Sequence, residues 1–301
     1  MKKILVPTDF SICASKAIDY AIAICKRTGA ELIILHSCEL MDEKLENSRS
    51  YVQKYNQEVE DEANKKLEYL KSSILASNNI KITIKLYDGP VAATIIHVGQ
   101  KYGVDLIVMG THGASGLKQL IFGSQTASVI SKCEIPVLAI PTDYHLITKG
   151  EILLAINHEE LNYEELLPFV TLSKAFEMKV TLTTFTEQNK DQSAFINDEN
   201  RLKITGEKMM KEGLLEKIRL LHITGDSLIN ALQDCIRKYN IDIVAMITHK
   251  REGLKKITNK SMTRKMAYNS NVPLLAIPHK GFKLTENENE YKTTFKGSSV
   301  L

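Results

Sequence analysis

In GTHGASGLKQLIFGSQT, residues 110–126, four glycines fall within fourteen positions and the last is followed by serine. Gly110 and Gly113 lack a β-carbon, so the main chain there can come close to a bound group or take positive φ. Gly123 and Ser124 stand where a helix would open; the free N–H groups at such a point favour an anion, and the Ser124 hydroxyl adds a donor. Asp9, after the first apolar run, is a carboxylate able to accept from ribose hydroxyls. Hydroxyl acceptor, bare main chain and a nest of N–H groups are the parts of a nucleotide site. The pattern is not a Walker A loop, because no G-K-[ST] occurs. Nor is it the dinucleotide fingerprint, whose glycines follow the first strand rather than the fourth. A plainer role suits the same residues: glycines punctuate strand–helix turns, and serine caps helices. On these residues alone both readings stand.

The elements that would position them are legible. KKILVP, ELIILHS, IKITIKLYD, VDLIVM and IPVLAI read as five strands, mostly apolar throughout rather than at every second residue. Helical spacing separates them: Ala14, Ala17, Ile18, Ala21, Ile22 and Cys25 after a Ser11 cap and before a Gly29 stop, then Val52, Tyr55, Val59, Ala63, Leu67, Leu70 and Ile74 along one face. PVAATIIHVGQKYG and SQTASVISKCE are the third and fourth helices. Alternating helices and apolar strands predict an α/β, doubly wound parallel sheet covered on both faces. Ligands of such sheets bind beyond the carboxyl ends of the strands, where strand order reverses. With the order 3-2-1-4-5, PTDFS and GTHGASG meet there.

The pattern then repeats. EILLAINHEE resembles the opening strand and turn, LHITGDSLINALQDCIRKYNIDIVAMITHK matches LYDGPVAATIIHVGQKYGVDLIVMGTHG, and SNVPLLAIPHK matches CEIPVLAIPTD. Two homologous domains are expected, 1–143 and 149–279, with a linker around 142–150 and a polar, flexible tail over 280–301. Pro168 should kink or restart its helix. The two closing strands are candidate sheet edges that could pair with each other.

Composition excludes several classes. The 301 residues are 44% apolar and 25% charged with net charge +3, the balance of a globular protein and too little charge to argue for nucleic acid or an anionic membrane. No run is long enough to span a bilayer, and the N-terminal apolar stretch stops at Val6, so a cytoplasmic protein is expected. The five cysteines form no C-x-x-C pair and read as reduced thiols; the eight histidines lack zinc spacing, so no metal site is expected in the protein itself. Cys13, near the proposed pocket, is read as a packed helix residue rather than a redox sensor. His112 and His249 have no identifiable serine or carboxylate partner, so no catalytic residue is assigned.

VDLIVMGTHGASGLKQLIFGSQTASVISKCEIPVLAI resembles the C-terminal half of a universal stress protein domain. That family's nucleotide-binding members carry G, two residues, G, nine residues, then G-[ST]; Gly110, Gly113, Gly123 and Ser124 match. KKILVPTDFS resembles the family's opening strand and turn, aspartate included. The resemblance implies the adenine nucleotide alpha hydrolase-like fold of order 3-2-1-4-5, and ATP or another adenine nucleotide as ligand, with Mg2+. It also implies pairing of domains through their last strands, here within one chain, with a homodimer of chains as a further option. Asp9 would hold ribose; Pro7, Thr8, Ser37 and Met109 would line the adenine and sugar pocket; Gly110, Gly113, Gly123, Ser124 and Gln125 would surround the phosphates. Ser37 departs from the apolar residue common there, but main-chain contacts are expected at that position, so its side chain should matter less.

The second copy has Ile247, Lys250, Lys260 and Asn157 opposite Gly110, Gly113, Gly123 and Asp9. Side chains there should crowd the phosphate position, leaving one competent site and one degenerate domain. The leading expectation is a stress-response module with ATP in its N-terminal domain and an unknown protein partner, turning ATP over slowly at most because no general base is positioned. The alternative is an interaction protein with a vestigial pocket. An adenylylating enzyme is disfavoured by the absence of H-I-G-H and S-G-G-x-D-S loops.

Overall fold

The computed structural model describes residues 1–42, 49–111, 123–144, 146, 149–156, 163–249 and 271–279. Strand β1 (Lys3–Pro7) feeds helix α1 (Ile12–Thr28), whose first turn is capped by Ser11 Oγ accepting from the Ala14 N–H at 3.2 Å. Gly29 closes α1 in the left-handed region (φ 72°). There follow β2 (Glu31–Cys38), α2 (Arg49–Ser77), β3 (Ile82–Asp88), α3 (Val91–Lys101), β4 (Leu106–Gly110), α4 (Ser124–Lys132) and β5 (Val137–Ile140). The same succession returns as β6 (Glu151–Ala155), α5 (Leu167–Ala175), β7 (Lys179–Glu187), α6 (Gln192–Lys211), β8 (Arg219–Gly225), α7 (Leu228–Tyr239), β9 (Ile243–His249) and β10 (Leu274–His279).

All ten strands form one sheet, in the order β3-β2-β1-β4-β5-β10-β9-β6-β7-β8. The first five read 3-2-1-4-5, and the last five repeat that order from the other edge. Rather than two separate sheets, the halves are fused: β5 and β10 pair antiparallel, with Leu138 opposite Leu275, while every other adjacent pair is parallel. Each half's last strand thus has its open edge filled by the other's.

Strand residues alternate between two apolar layers. Ile4, Val6, Ile152 and Leu154 face α1, α2, α5 and α6; Leu5, Leu153, Ile107 and Val244 face α3, α4 and α7. Both layers cross the junction. Tyr20 of α1 lies 5.9 Å from the Phe176 ring, and the Arg27 guanidinium caps that ring at 4.5 Å.

Two local expectations need correction or refinement. Tyr55 of α2 is exposed, and its neighbour Asn56 is buried instead. The Asn56 amide satisfies both main-chain groups of Met41, at 2.9 and 3.0 Å, which offsets the cost of burying it. Pro168 marks a restart rather than a kink: a 3-10 turn over Tyr163–Leu166 gives way to α5, and the proline occupies the first turn of α5, where no N–H is needed. β5 ends at Ile140 and β6 begins at Glu151; residues 280–301 lie outside the described residues.

Helix α6 is held to β7 and β8 by a polar chain. Thr186 donates its hydroxyl to Asp198 and accepts from His222 Nε2 at 2.8 Å, while the Phe195 ring stacks on the imidazole at 4.0 Å. His222 Nδ1 is then a buried lone pair without a partner among the described residues. Burial holds this imidazole below its ordinary pKa of 6.5, outweighing the opposite pull of Asp198 and Glu199. Below that pH the unfolded chain takes up a proton that the folded chain resists, so stability is full above it and declines as pH falls beneath it. Urea unfolding at about pH 7.5 and about pH 5.5 should show His222→Phe losing less stability on acidification than the parent chain. Equal losses would place the acid sensitivity elsewhere.

Candidate functional site

The loop between β1 and α1 is fixed residue by residue. The Thr8 N–H donates to Leu35 O at 2.8 Å, and His36 Nδ1 meets the Thr8 carbonyl at 2.7 Å, which makes Nδ1 the protonated nitrogen. Thr8 Oγ1 accepts from the Phe10 N–H at 3.0 Å, and Asp9 Oδ1 accepts from the Ser11 N–H at 3.0 Å, an Asx turn. These bonds hold Phe10 at φ 61°, unusual for a residue with a side chain, with its ring centroid 4.7 Å from that of His36.

Across the switch point, the first turn of α4 is tied to the end of β4. Thr126 Oγ1 donates to Gly110 O at 2.8 Å, and the Gly123 N–H donates to Thr111 O. The first intrahelical bond is Ala127 N–H to Gly123 O, so the amides of Ser124 to Thr126 are the helix's open donors. At the end of β2, the Ser37 hydroxyl donates to Gly89 O at 2.7 Å.

These three strand ends enclose a cavity of about 250 Å³. Pro7, Thr8, Asp9, Ser37, Met109, Gly110, Gly123, Ser124 and Gln125 all line it. Gly113, the remaining residue expected there, lies outside the described residues. The lining also includes Ala14, Leu35, His36, Val91, Ile95 and Thr126, which the sequence reading did not single out. Val91 and Ile95 stand one helical turn apart on α3, and that spacing is the signal by which they could have been found. His36 carried no such signal, since its role depends on the Thr8 carbonyl brought beside it.

The cavity has two chemical ends. Leu35, Ile95 and Met109 belong to the apolar layer beneath α3, with Val91 packed against them. The first turn of α4 supplies N–H groups and the Ser124 hydroxyl. Asp9 is the one formally charged side chain among the described lining residues. An anion at the α4 end would be held by main-chain amides rather than by lysine or arginine.

Gly110 has a reason the sequence did not disclose. A β-carbon there would lie 2.8 Å from the Cys13 carbonyl oxygen and 2.9 Å from its carbon, in the first turn of α1. The missing side chain lets the helix lie on the strand. At the matching place Ile247 is partly buried and packs against the apolar layer that includes α5. Asn157, Lys250 and Lys260 lie outside the described residues, as does His112. The described part of the second half's corresponding end contains buried Ile156 and a Glu165–His279 contact of 2.9 Å. Cys13 is buried and accepts from Thr142 Oγ1 at 3.3 Å; none of the five cysteines is in a disulfide, and all are buried.

A model of the universal stress protein family matches residues 1–141. Universal stress protein MJ0577 of Methanocaldococcus jannaschii is 31% identical over 153 residues, covering 46% of this chain and 94% of that protein. Universal stress protein YxiE of Bacillus subtilis is 30% identical over 145 residues, covering 46% of this chain and 97% of its own length. A crystal structure of a universal stress protein from Archaeoglobus fulgidus superposes with a TM-score of 0.67 over 92% of this chain and 98% of that one, at 18% identity, which speaks to the fold alone.

The packing role of Gly110 is testable without any ligand. Gly110→Ala should cost about 1–3 kcal/mol in urea unfolding, the range for overpacking. Adding Cys13→Ala should recover only part of it, because the carbonyl atoms remain in the way. Unchanged stability in the single variant would remove the packing explanation.

Proposed function

This chain belongs to the universal stress protein family, and we propose that it is a stress-response module that binds ATP in its N-terminal half. The observation that carries this reading is the two-ended cavity at the strand-order switch point. The base and sugar would lie against Pro7, Thr8, Ser37 and Met109, with Val91 and Ile95 completing the apolar wall. Asp9, at the rim, would accept from ribose. Gly110, Gly123, Ser124 and Gln125, together with Gly113, would surround the phosphates, where the α4 amides supply the donors. Asp9 being the only carboxylate among the described lining residues, a Mg2+ ion would be held chiefly by the phosphates themselves.

The same lining argues for binding rather than turnover. No lysine or arginine stands by the phosphate end among the described residues, and the Nδ1–H of His36 is committed to the Thr8 carbonyl. Hydrolysis or self-phosphorylation would be slow. Nucleotide occupancy would then act as a signal, altering the surface around the loop after β4 for a protein partner in the cytoplasm. The second half would pair with the first through β10 without holding nucleotide in this manner. One observation favours a second reading, an interaction protein with a vestigial pocket: Gly110 is accounted for by packing alone.

Calorimetric titration of Mg2+–ATP into the full chain should give saturable binding. Gly123→Lys, which places a long side chain at the α4 cap, should weaken it by about tenfold or more, roughly 1.4 kcal/mol. Absence of binding by the parent chain would favour the vestigial pocket, and rapid multiple turnover would overturn the regulatory reading.

A further inference from the structure

The ten-stranded sheet ends in β3 on one side and β8 on the other, and the two edges are built differently. β3, ITIKLYD, carries Lys85 at its centre and is preceded by the exposed Lys81. Lys101 stands beside its Tyr87, with Nζ 3.2 Å from the phenol oxygen. Lysines of this kind guard a sheet edge against pairing with another chain. β8, RLLHITG, has no lysine and no proline. Its one formal charge, Arg219, is turned back across the sheet: Nη1 lies 2.8 Å from Glu151 of β6, and the guanidinium lies over the Tyr239 ring at 5.4 Å. Leu220 is exposed, and so are Phe195 and Ile196 on α6 beside it, the Phe195 ring stacked on His222. β8 bonds to β7 on one side, and among the described residues no strand pairs with the other.

We propose that β8 is a dimerisation edge, pairing antiparallel with β8 of a second copy of this chain about a two-fold axis at His222. The strand's own sequence argues for a second copy rather than an unrelated partner. With the two strands fully overlapped, Arg219 stands opposite Gly225 of the second copy, Leu220 opposite Thr224, Leu221 opposite Ile223, and His222 opposite itself. Opposed residues share a face. The Leu221–Ile223 pairs therefore extend the apolar layer that holds α7, and the Leu220–Thr224 pairs lie on the side where Leu220 packs over Gly206 of α6. No like charges meet. Burial keeps the His222 imidazole below its ordinary pKa of 6.5, so near neutral pH the central pair meets uncharged. The same overlap at the other edge sets Lys85 against Lys85, which is repulsive. The contact repeats between chains the antiparallel edge pairing that β5 and β10 make within one. It also closes on itself: the two-fold consumes both β8 edges and leaves the lysine-guarded β3 edges outermost.

Sedimentation of the full chain over a range of concentrations should show a reversible monomer–dimer equilibrium with no larger species. Leu220→Lys combined with Thr224→Lys sets lysine against lysine at both 220–224 pairs and should weaken dimerisation by about tenfold or more. Leu220→Glu combined with Thr224→Glu should do the same. Mixed in equal amounts, the two double variants should form a heterodimer, because each lysine then faces a glutamate. Damage to the fold would not be undone by mixing, so the recovery separates pairing from disruption. Should a double variant fail to fold, hydrogen exchange in the parent chain decides: amides of β8 should exchange more slowly as concentration rises, and those of β3 should not. A parent that is monomeric at every concentration, a dimer that both double variants leave intact, or no recovery on mixing would overturn the proposal. Assembly beyond two chains would overturn its closed form. The nucleotide site takes no part in this contact, so absence of ATP binding leaves the inference standing.

Discussion

A helix can lie directly on a strand only where the strand has no side chain to hold it off. In the N-terminal half that place is Gly110, under the first turn of α1. Much of the site follows from this one contact. Because α1 starts so close to the sheet, the chain has only residues 8–11 in which to leave β1 and enter the helix. So short a connection forces Phe10 into the left-handed region, at a cost of about 1–2 kcal/mol. The Thr8 hydroxyl bond to Phe10 N–H, the Asx turn of Asp9 and the ring contact with His36 offset that cost and fix the loop. Asp9 is placed at the cavity rim by the same geometry that lets the helix pack.

The C-terminal half shows what happens when the contact is absent. It keeps the strand order, the apolar layers and the hydrogen bond that ends β1 in the first half: Ile156 N–H donates to Thr183 O at 2.8 Å, as Thr8 N–H does to Leu35 O. Among the described residues, its counterpart of α1 has 9 residues against 17 and is preceded by a 3-10 turn, and Ile247 packs partly buried against the apolar layer. Glycine at 110 and the early start of α1 are one feature seen from two elements. At position 110 packing is thus a sufficient reason for glycine, whatever the ligand. Any argument for a binding role has to come from the cavity's chemistry instead.

That distinction marks the limit of what was legible in the residues. Continuous apolar runs in alternation with helical periodicity disclosed the sheet, because burial on both faces leaves no other pattern. Ser11 and Gly29 disclosed the ends of α1, because capping is local chemistry. The gathering of residues as distant as Pro7 and Gln125 around one cavity followed from strand order. What stayed hidden depends on contacts between remote segments. The Cys13 carbonyl above Gly110, the Met41 main chain that makes Asn56 a buried residue, and the Thr8 carbonyl that sets the His36 tautomer have no local signature. The direction of the β5–β10 pairing is of the same kind, since either strand alone reads only as a short apolar edge candidate.

That pairing also explains why a second half without the same loops has a structural use. An unpaired β5 would present a row of main-chain donors and acceptors beside four buried side chains, a surface prone to unwanted association. Covering it requires a strand of matching register and an apolar layer on each face, which β10, α5 and α7 help to supply. It makes no demand on the carboxyl ends of the second half's strands. Because β5 and β10 run antiparallel, those ends point away from the cavity of the first half rather than toward it. Residues there can therefore take up other contacts, such as Glu165 with His279, without disturbing the seam. The strands and apolar layers answer to the junction, and the loops beyond them answer only to their own half, so fold and site come apart in the second copy where they are locked together in the first.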